Sequence, residues 1–185
     1  TGIQGLIADP YFNGGGFHEI STGGKLGIHA DFRLNKNLHV QRRINVLIYL
    51  NKNWKKHYGG YLELWDKKMR KKVLSTQPIF NRCVIFNTDS DAFHGHPDPL
   101  NTPENITRKS LALYYYTASK SIYNEIEGLT TQFQGRNINE VKKLKMHKKT
   151  KKKILQLITP PFLFVMTRKI ILAMRDFFRE QKKKI

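Results

Sequence analysis

Two stretches that alternate residue by residue limit what this chain can fold into. Arg43 to Leu50 and Arg108 to Thr117 are rich in β-branched and aromatic residues, and both read as strands. In an extended strand, Asn45, Leu47 and Tyr49 share one face of the first stretch and Ile44, Val46 and Ile48 the other. In the second, Arg108, Ser110, Ala112 and Tyr114 share a face. Shorter strand-like runs at Lys25 to Phe32, Tyr61 to Asp66 and Asn81 to Asn87 are separated by turn signals: Gly59-Gly60, the basic tip Lys67 to Lys72, and Thr76-Gln77-Pro78. No long helical pattern intervenes. Many short strands punctuated in this way point to an all-β core, an antiparallel double-sheet jelly roll (double-stranded β-helix), with flanking helices.

Chemistry enters at Gly27-Ile28-His29-Ala30-Asp31-Phe32. Residues i and i+2 of a strand point the same way, so His29 and Asp31 can hold one ion together and supply two groups of a 2-His-1-carboxylate facial triad. A third group has to come from elsewhere. After 62 intervening residues the chain offers Phe93-His94-Gly95-His96-Pro97, with His94 and His96 as alternatives, and then Arg108-Lys109-Ser110. His39 is a further candidate by residue type alone, in a polar connection from Asn35 to Val40. A His-x-Asp pair by itself is a common coincidence; the order of all the pieces is much more specific.

That order resembles the Fe(II)/2-oxoglutarate-dependent dioxygenases, and within them the prolyl 4-hydroxylase-like branch that includes the hypoxia-type prolyl hydroxylases. The resemblance runs from about Leu26 to Thr117. It is carried also by Arg43-Ile44-Asn45-Val46-Leu47-Ile48-Tyr49-Leu50-Asn51, by Trp54, by Gly59-Gly60-Tyr61-Leu62-Glu63-Leu64, and by Phe93-His94-Gly95 ahead of Arg108. It implies His29, Asp31 and His94 as iron ligands. Arg108 would pair with the far carboxylate of 2-oxoglutarate, where a planar fork suits bidentate pairing. Ser110 and Tyr49 would be its neutral partners, and Asn45 and Leu62 would line the same pocket. The cofactor set so implied is Fe(II), 2-oxoglutarate as cosubstrate, O2, and ascorbate. The implied reaction hydroxylates a C–H bond, that of a prolyl residue in a polypeptide before that of a small molecule, and releases succinate and CO2. One departure from the relatives is the longer segment between His94 and Arg108, with Pro97, Pro99 and Pro103.

The ends of the chain read differently. Residues 1–25, with Asp9-Pro10 and glycines at 14–16 and 23–24, read as a short helix and then loops; no Gly-Lys-Ser/Thr follows the triple glycine, so a phosphate-cradling loop is not indicated. The first residues already resemble the interior of a domain, and an N-terminal helix and strand are expected to precede Thr1. The expected organisation is a dioxygenase domain over 1–120, a polar linker over 121–137 and a basic amphipathic helical tail over 138–185.

Cys83, the one cysteine of the chain, excludes an intrachain disulfide. In the run Cys83-Val84-Ile85-Phe86 it reads as a small buried hydrophobe, and an unstapled chain suits a reducing cytoplasm. The formal net charge is +19, of which residues 138–185, with 15 Lys/Arg against 3 Asp/Glu, carry +12. Lys142 to Lys153 contains eight lysines. Pro160-Pro161 must interrupt any helix, and Phe162 to Phe178 reads as a second one. Apolar residues between basic ones favour an anionic membrane surface, peripherally held, over nucleic acid. No apolar stretch reaches the ~18 residues of a spanning helix. The competing reading is a catalytically idle jelly roll that binds nucleic acid or an anionic surface through this tail; intact His29, Asp31, His94 and Arg108 argue against it.

Overall fold

The computed structural model describes residues 1–35, 38–118 and 130–158. The chain divides into two compact units, Thr1–Asn137 and Ile138–Ile185. The first unit consists of two antiparallel sheets, the jelly-roll arrangement expected from the alternating stretches.

One sheet is centred on the two long strands. β5 (Val40–Tyr49) pairs with β10 (Arg108–Ala118), setting Ser110 opposite Tyr49, Ala112 opposite Leu47 and Tyr114 opposite Asn45. Beyond β10 lie β1 (Ile7–Ala8) and β2 (Gly16–Ile20); beyond β5 lie β4 (Leu34–Asn35) and β8 (Cys83–Asn87). The other sheet runs β11-β3-β9-β6-β7, with β3 at Leu26–Ala30, β6 at Leu62–Trp65, β7 at Lys72–Thr76, β9 at His94–His96 and β11 at Gln132–Phe133. The alternation in β10 is observed directly: Arg108, Ser110, Ala112, Tyr114 and Tyr116 are all buried, and the residues between them are not. The inner faces of the two sheets enclose a cleft lined from both.

Two bulges shift which residues look inward. In β3, Leu26 lies opposite His96 and His29 opposite His94, so two residues, Gly27 and Ile28, face the single Gly95 between them. Leu26 therefore lines the cleft beside His29. In β5, Ile44 pairs with Tyr115 and Arg42 with Tyr116, so Arg43 is the extra residue and Arg42 turns inward.

The proline-rich segment after β9 is anchored. Leu100 buries its side chain against Trp54, just ahead of the 3₁₀ turn Lys56–Tyr58, and against Tyr58 within it, a burial worth about 1.5–3 kcal/mol. Its backbone N–H donates to Gly24 at 3.0 Å and its carbonyl accepts from Gly23 at 2.8 Å, which ties this segment to the loop ahead of β3.

Three local expectations are corrected. Residues 1–25 form β1 and β2 with no helix, because Gly15 approaches Ala112 so closely that a Cβ would lie 2.9 Å from its carbonyl oxygen; only glycine lets this segment join β10. Cys83 is exposed, not buried. Among the described residues β8 pairs only with β5, and it is itself largely exposed, since an edge strand has no neighbour to cover it. Within the expected linker, Gln132 and Phe133 pair with Ala30 and His29, so the first unit extends to Asn137.

In the second unit, α1 (Ile138–Ile158) carries the lysine run. No described helix is long and apolar enough to cross a membrane. Pro160-Pro161 and the expected helix from Phe162 to Phe178 lie outside the described residues, as does most of the expected linker.

Candidate metal centre

β3 and β9 bring the first group of functional side chains together. Their approach depends on Gly95, where an added Cβ would meet the backbone oxygens of Leu26 and Gly27 at 2.7 and 2.8 Å. With the strands this close, the His29 and His94 rings lie 4.4 Å apart, centre to centre. Asp31, just past the end of β3, completes a group whose donor atoms all lie within 4.8 Å of one another. His96 and His39 are not part of this group, and His39 sits in a turn at φ 52°.

The protonation pattern of the two histidines follows from their neighbours. His29 Nδ1 lies 2.8 Å from the Gly27 carbonyl oxygen and His94 Nδ1 lies 3.0 Å from that of Ala92. A carbonyl oxygen only accepts, so Nδ1 carries a hydrogen in both rings, and in the neutral imidazole Nε2 is then the nitrogen with the lone pair. Both Nε2 atoms face Asp31 at 3.4 Å. Two lone pairs and a carboxylate converging on one point are an electron-rich set that a cation satisfies, and two nitrogens with one oxygen match the facial triad of a non-heme iron(II) site.

Asp31 is oriented by groups behind it. Its Oδ2 accepts from Asn45 Nδ2 at 2.7 Å and pairs with Arg42 Nη2 at 3.0 Å. Arg42 in turn donates from Nε and Nη2 to Asn45 Oδ1, at 2.8 and 2.6 Å. The guanidinium lies 3.4 Å from the centre of the Tyr114 ring, and Arg42 as a whole is 1 % exposed. Sequence reasoning missed Arg42. Regular alternation points Arg43 inward, and only the β5 bulge exchanges the two.

The second group surrounds Arg108. This residue is 4 % exposed, donates from Nε to the Gly60 carbonyl at 2.9 Å, and reaches Tyr49 Oη at 3.4 Å. Gly60, at φ +67°, is required here: a Cβ would lie 2.5 Å from Leu100 Cδ2 and 2.9 Å from Arg108 Cδ. Burial pushes the Arg108 guanidinium below its usual range and the Tyr49 hydroxyl above its own. Among the described residues no carboxylate pairs with Arg108, and a buried cation in that position calls for an anion. Asn45, Leu62, Ser110 and Arg108 line the same cleft as His29, Asp31 and His94, while Tyr49 is fully buried behind Arg108.

A family model described as the 2OG-Fe(II) oxygenase superfamily matches residues 15–116, a span that holds both groups. The chain belongs to that superfamily. Among solved structures it is similar to a prolyl hydroxylase from Trichoplax adhaerens in complex with a hypoxia inducible factor oxygen degradation domain peptide fragment, at 27 % identity and a TM-score of 0.43 over 54 % of this chain and 41 % of that one. It is also similar to a prolyl 4-hydroxylase from Phytophthora capsici (24 %, TM-score 0.42, 55 % and 31 %) and to one from Pseudomonas putida (20 %, TM-score 0.42, 56 % and 50 %). The chain thus spans half or less of the length of these three proteins.

Proposed function

We propose that the chain is an Fe(II)- and 2-oxoglutarate-dependent dioxygenase that hydroxylates a prolyl residue in a polypeptide. The observation that carries this reading is the pairing, in one cleft, of a His29–Asp31–His94 donor set with a buried arginine that has no carboxylate partner among the described residues. The prolyl substrate rests on the sequence resemblance from Leu26 to Thr117.

When bound in such a site, iron(II) couples the oxidative decarboxylation of 2-oxoglutarate to hydroxylation of a C–H bond. His29, Asp31 and His94 would hold the metal. Asn45 and Arg42 fix the Asp31 carboxylate, and the Gly27 and Ala92 carbonyls fix the two rings. Arg108 would take the far carboxylate, with Ser110 beside it and Tyr49 behind. Ascorbate, if required, would act as a reductant in turnover assays.

Succinate release, measured with Fe(II), 2-oxoglutarate and a panel of peptides with and without proline, tests the proposal. Peptide-stimulated release with a +16 Da product supports it; release stimulated only by peptides without proline overturns the prolyl part.

For residues 138–185 we propose peripheral attachment to an anionic membrane surface, which would place the protein at the cytoplasmic face. The lysines of α1 support this, each contributing up to about 1 kcal/mol near an anionic leaflet.

A further inference from the structure

His96 is a buried group for which the metal donor set has no use. It is 3 % exposed, and neither of its ring nitrogens has a hydrogen-bond partner. Buried polar atoms are nearly always satisfied, so two open nitrogens on one ring call for a ligand or water. The β3 bulge accounts for its position: with Leu26 opposite His96 and His29 opposite His94, both β9 histidines look into the same cleft. There His96 stands with Arg108, Ser110 and Leu62.

We propose that His96 binds the cosubstrate, its ring N–H donating to an oxygen of 2-oxoglutarate held between the metal centre and Arg108. This rests on the dioxygenase reading above. A neutral imidazole has one donor and one acceptor, whereas both carboxylates and the 2-oxo group only accept, so one N–H is matched. The other nitrogen needs a donor. His96 also lines a second cavity, with Gly60, Glu63, Lys72 and Ser75, which gives water a route to that nitrogen. The ring is thus left open without cosubstrate and satisfied with it.

The arrangement has a signature that a packing role would not produce. Replacing His96 with phenylalanine keeps a ring of similar shape and removes both orphaned nitrogens, so the metal-free protein should melt at the same temperature or higher. The same change should weaken 2-oxoglutarate binding.

The test uses the full chain loaded with Mn(II), which does not turn over. 2-Oxoglutarate is titrated calorimetrically, and Mn(II) uptake is followed separately by electron paramagnetic resonance. The expected result for His96→Phe is a loss of 2-oxoglutarate affinity of about ten-fold, with unchanged Mn(II) affinity and no loss of melting temperature; His96→Gln, which keeps an N–H, should recover part of the binding. Unchanged 2-oxoglutarate affinity in His96→Phe overturns the inference, as does a matching loss of Mn(II), which would make His96 a ligand. A wild-type protein that takes up Mn(II) but not 2-oxoglutarate removes the dioxygenase reading itself, and this inference with it.

Discussion

Asp31 Oδ2 is held by Asn45 and Arg42, while Oδ1 faces His29 Nε2 at 3.4 Å. A carboxylate anchored on one oxygen presents the other in a fixed direction, and groups behind a ligand set its orientation and basicity. Arg42→Met should therefore lower Fe(II) affinity by about ten- to hundred-fold although Arg42 is itself no ligand. Because it leaves Asp31 short of its buried countercharge, it should also cost about 3–5 kcal/mol of stability; denaturant melts with and without metal measure both effects. His29→Ala, Asp31→Ala and His94→Ala should each reduce iron-dependent succinate formation to background with the fold retained, as read by circular dichroism and turnover. Arg108→Lys should leave iron binding nearly unchanged but raise the 2-oxoglutarate requirement about ten-fold or more, since an ammonium cannot reproduce a bidentate fork. Equal loss of iron and cosubstrate would mean that Arg108 supports the fold instead.

The strand faces were legible in the sequence wherever alternation runs unbroken. In β10 the period of two correctly puts Arg108, Ser110, Ala112 and Tyr114 inward, and in β5 it does so for Asn45 and Leu47. It fails at the two bulges, because an extra residue is set by how two distant strands match and leaves no mark in either strand alone. That is why Arg42 went unnoticed. Cys83 is a related case: Cys83 to Phe86 has an apolar pattern, but whether a strand is central or at an edge depends on sheet order. The β11–β3 pairing joins residues about a hundred positions apart, again beyond local pattern. At this scale the most sensitive point is Gly95, whose backbone packs onto Leu26 and Gly27. Gly95→Ala should push β9 off β3, costing about 1–3 kcal/mol and weakening metal binding more than Ala substitution at an exposed strand position such as Lys109; thermal melts and Fe(II) titration check this.

In the whole molecule, every residue of the cleft lies within Thr1–Asn137, while Ile138–Ile185 carries most of the excess charge. Deleting residues 138–185 should therefore leave metal-dependent 2-oxoglutarate turnover intact and remove salt-sensitive binding to anionic vesicles, as co-sedimentation at low and high salt would report. A truncated form that unfolds would make the tail part of the fold. The central claim is that one cleft holds iron and 2-oxoglutarate together. Its most direct test is anaerobic addition of Fe(II) and then 2-oxoglutarate, with the visible spectrum recorded. A weak metal-to-ligand charge-transfer band that needs both components, and that is absent in Asp31→Ala, is the expected result. Tight binding of Fe(II) with no such band at saturating 2-oxoglutarate would contradict it.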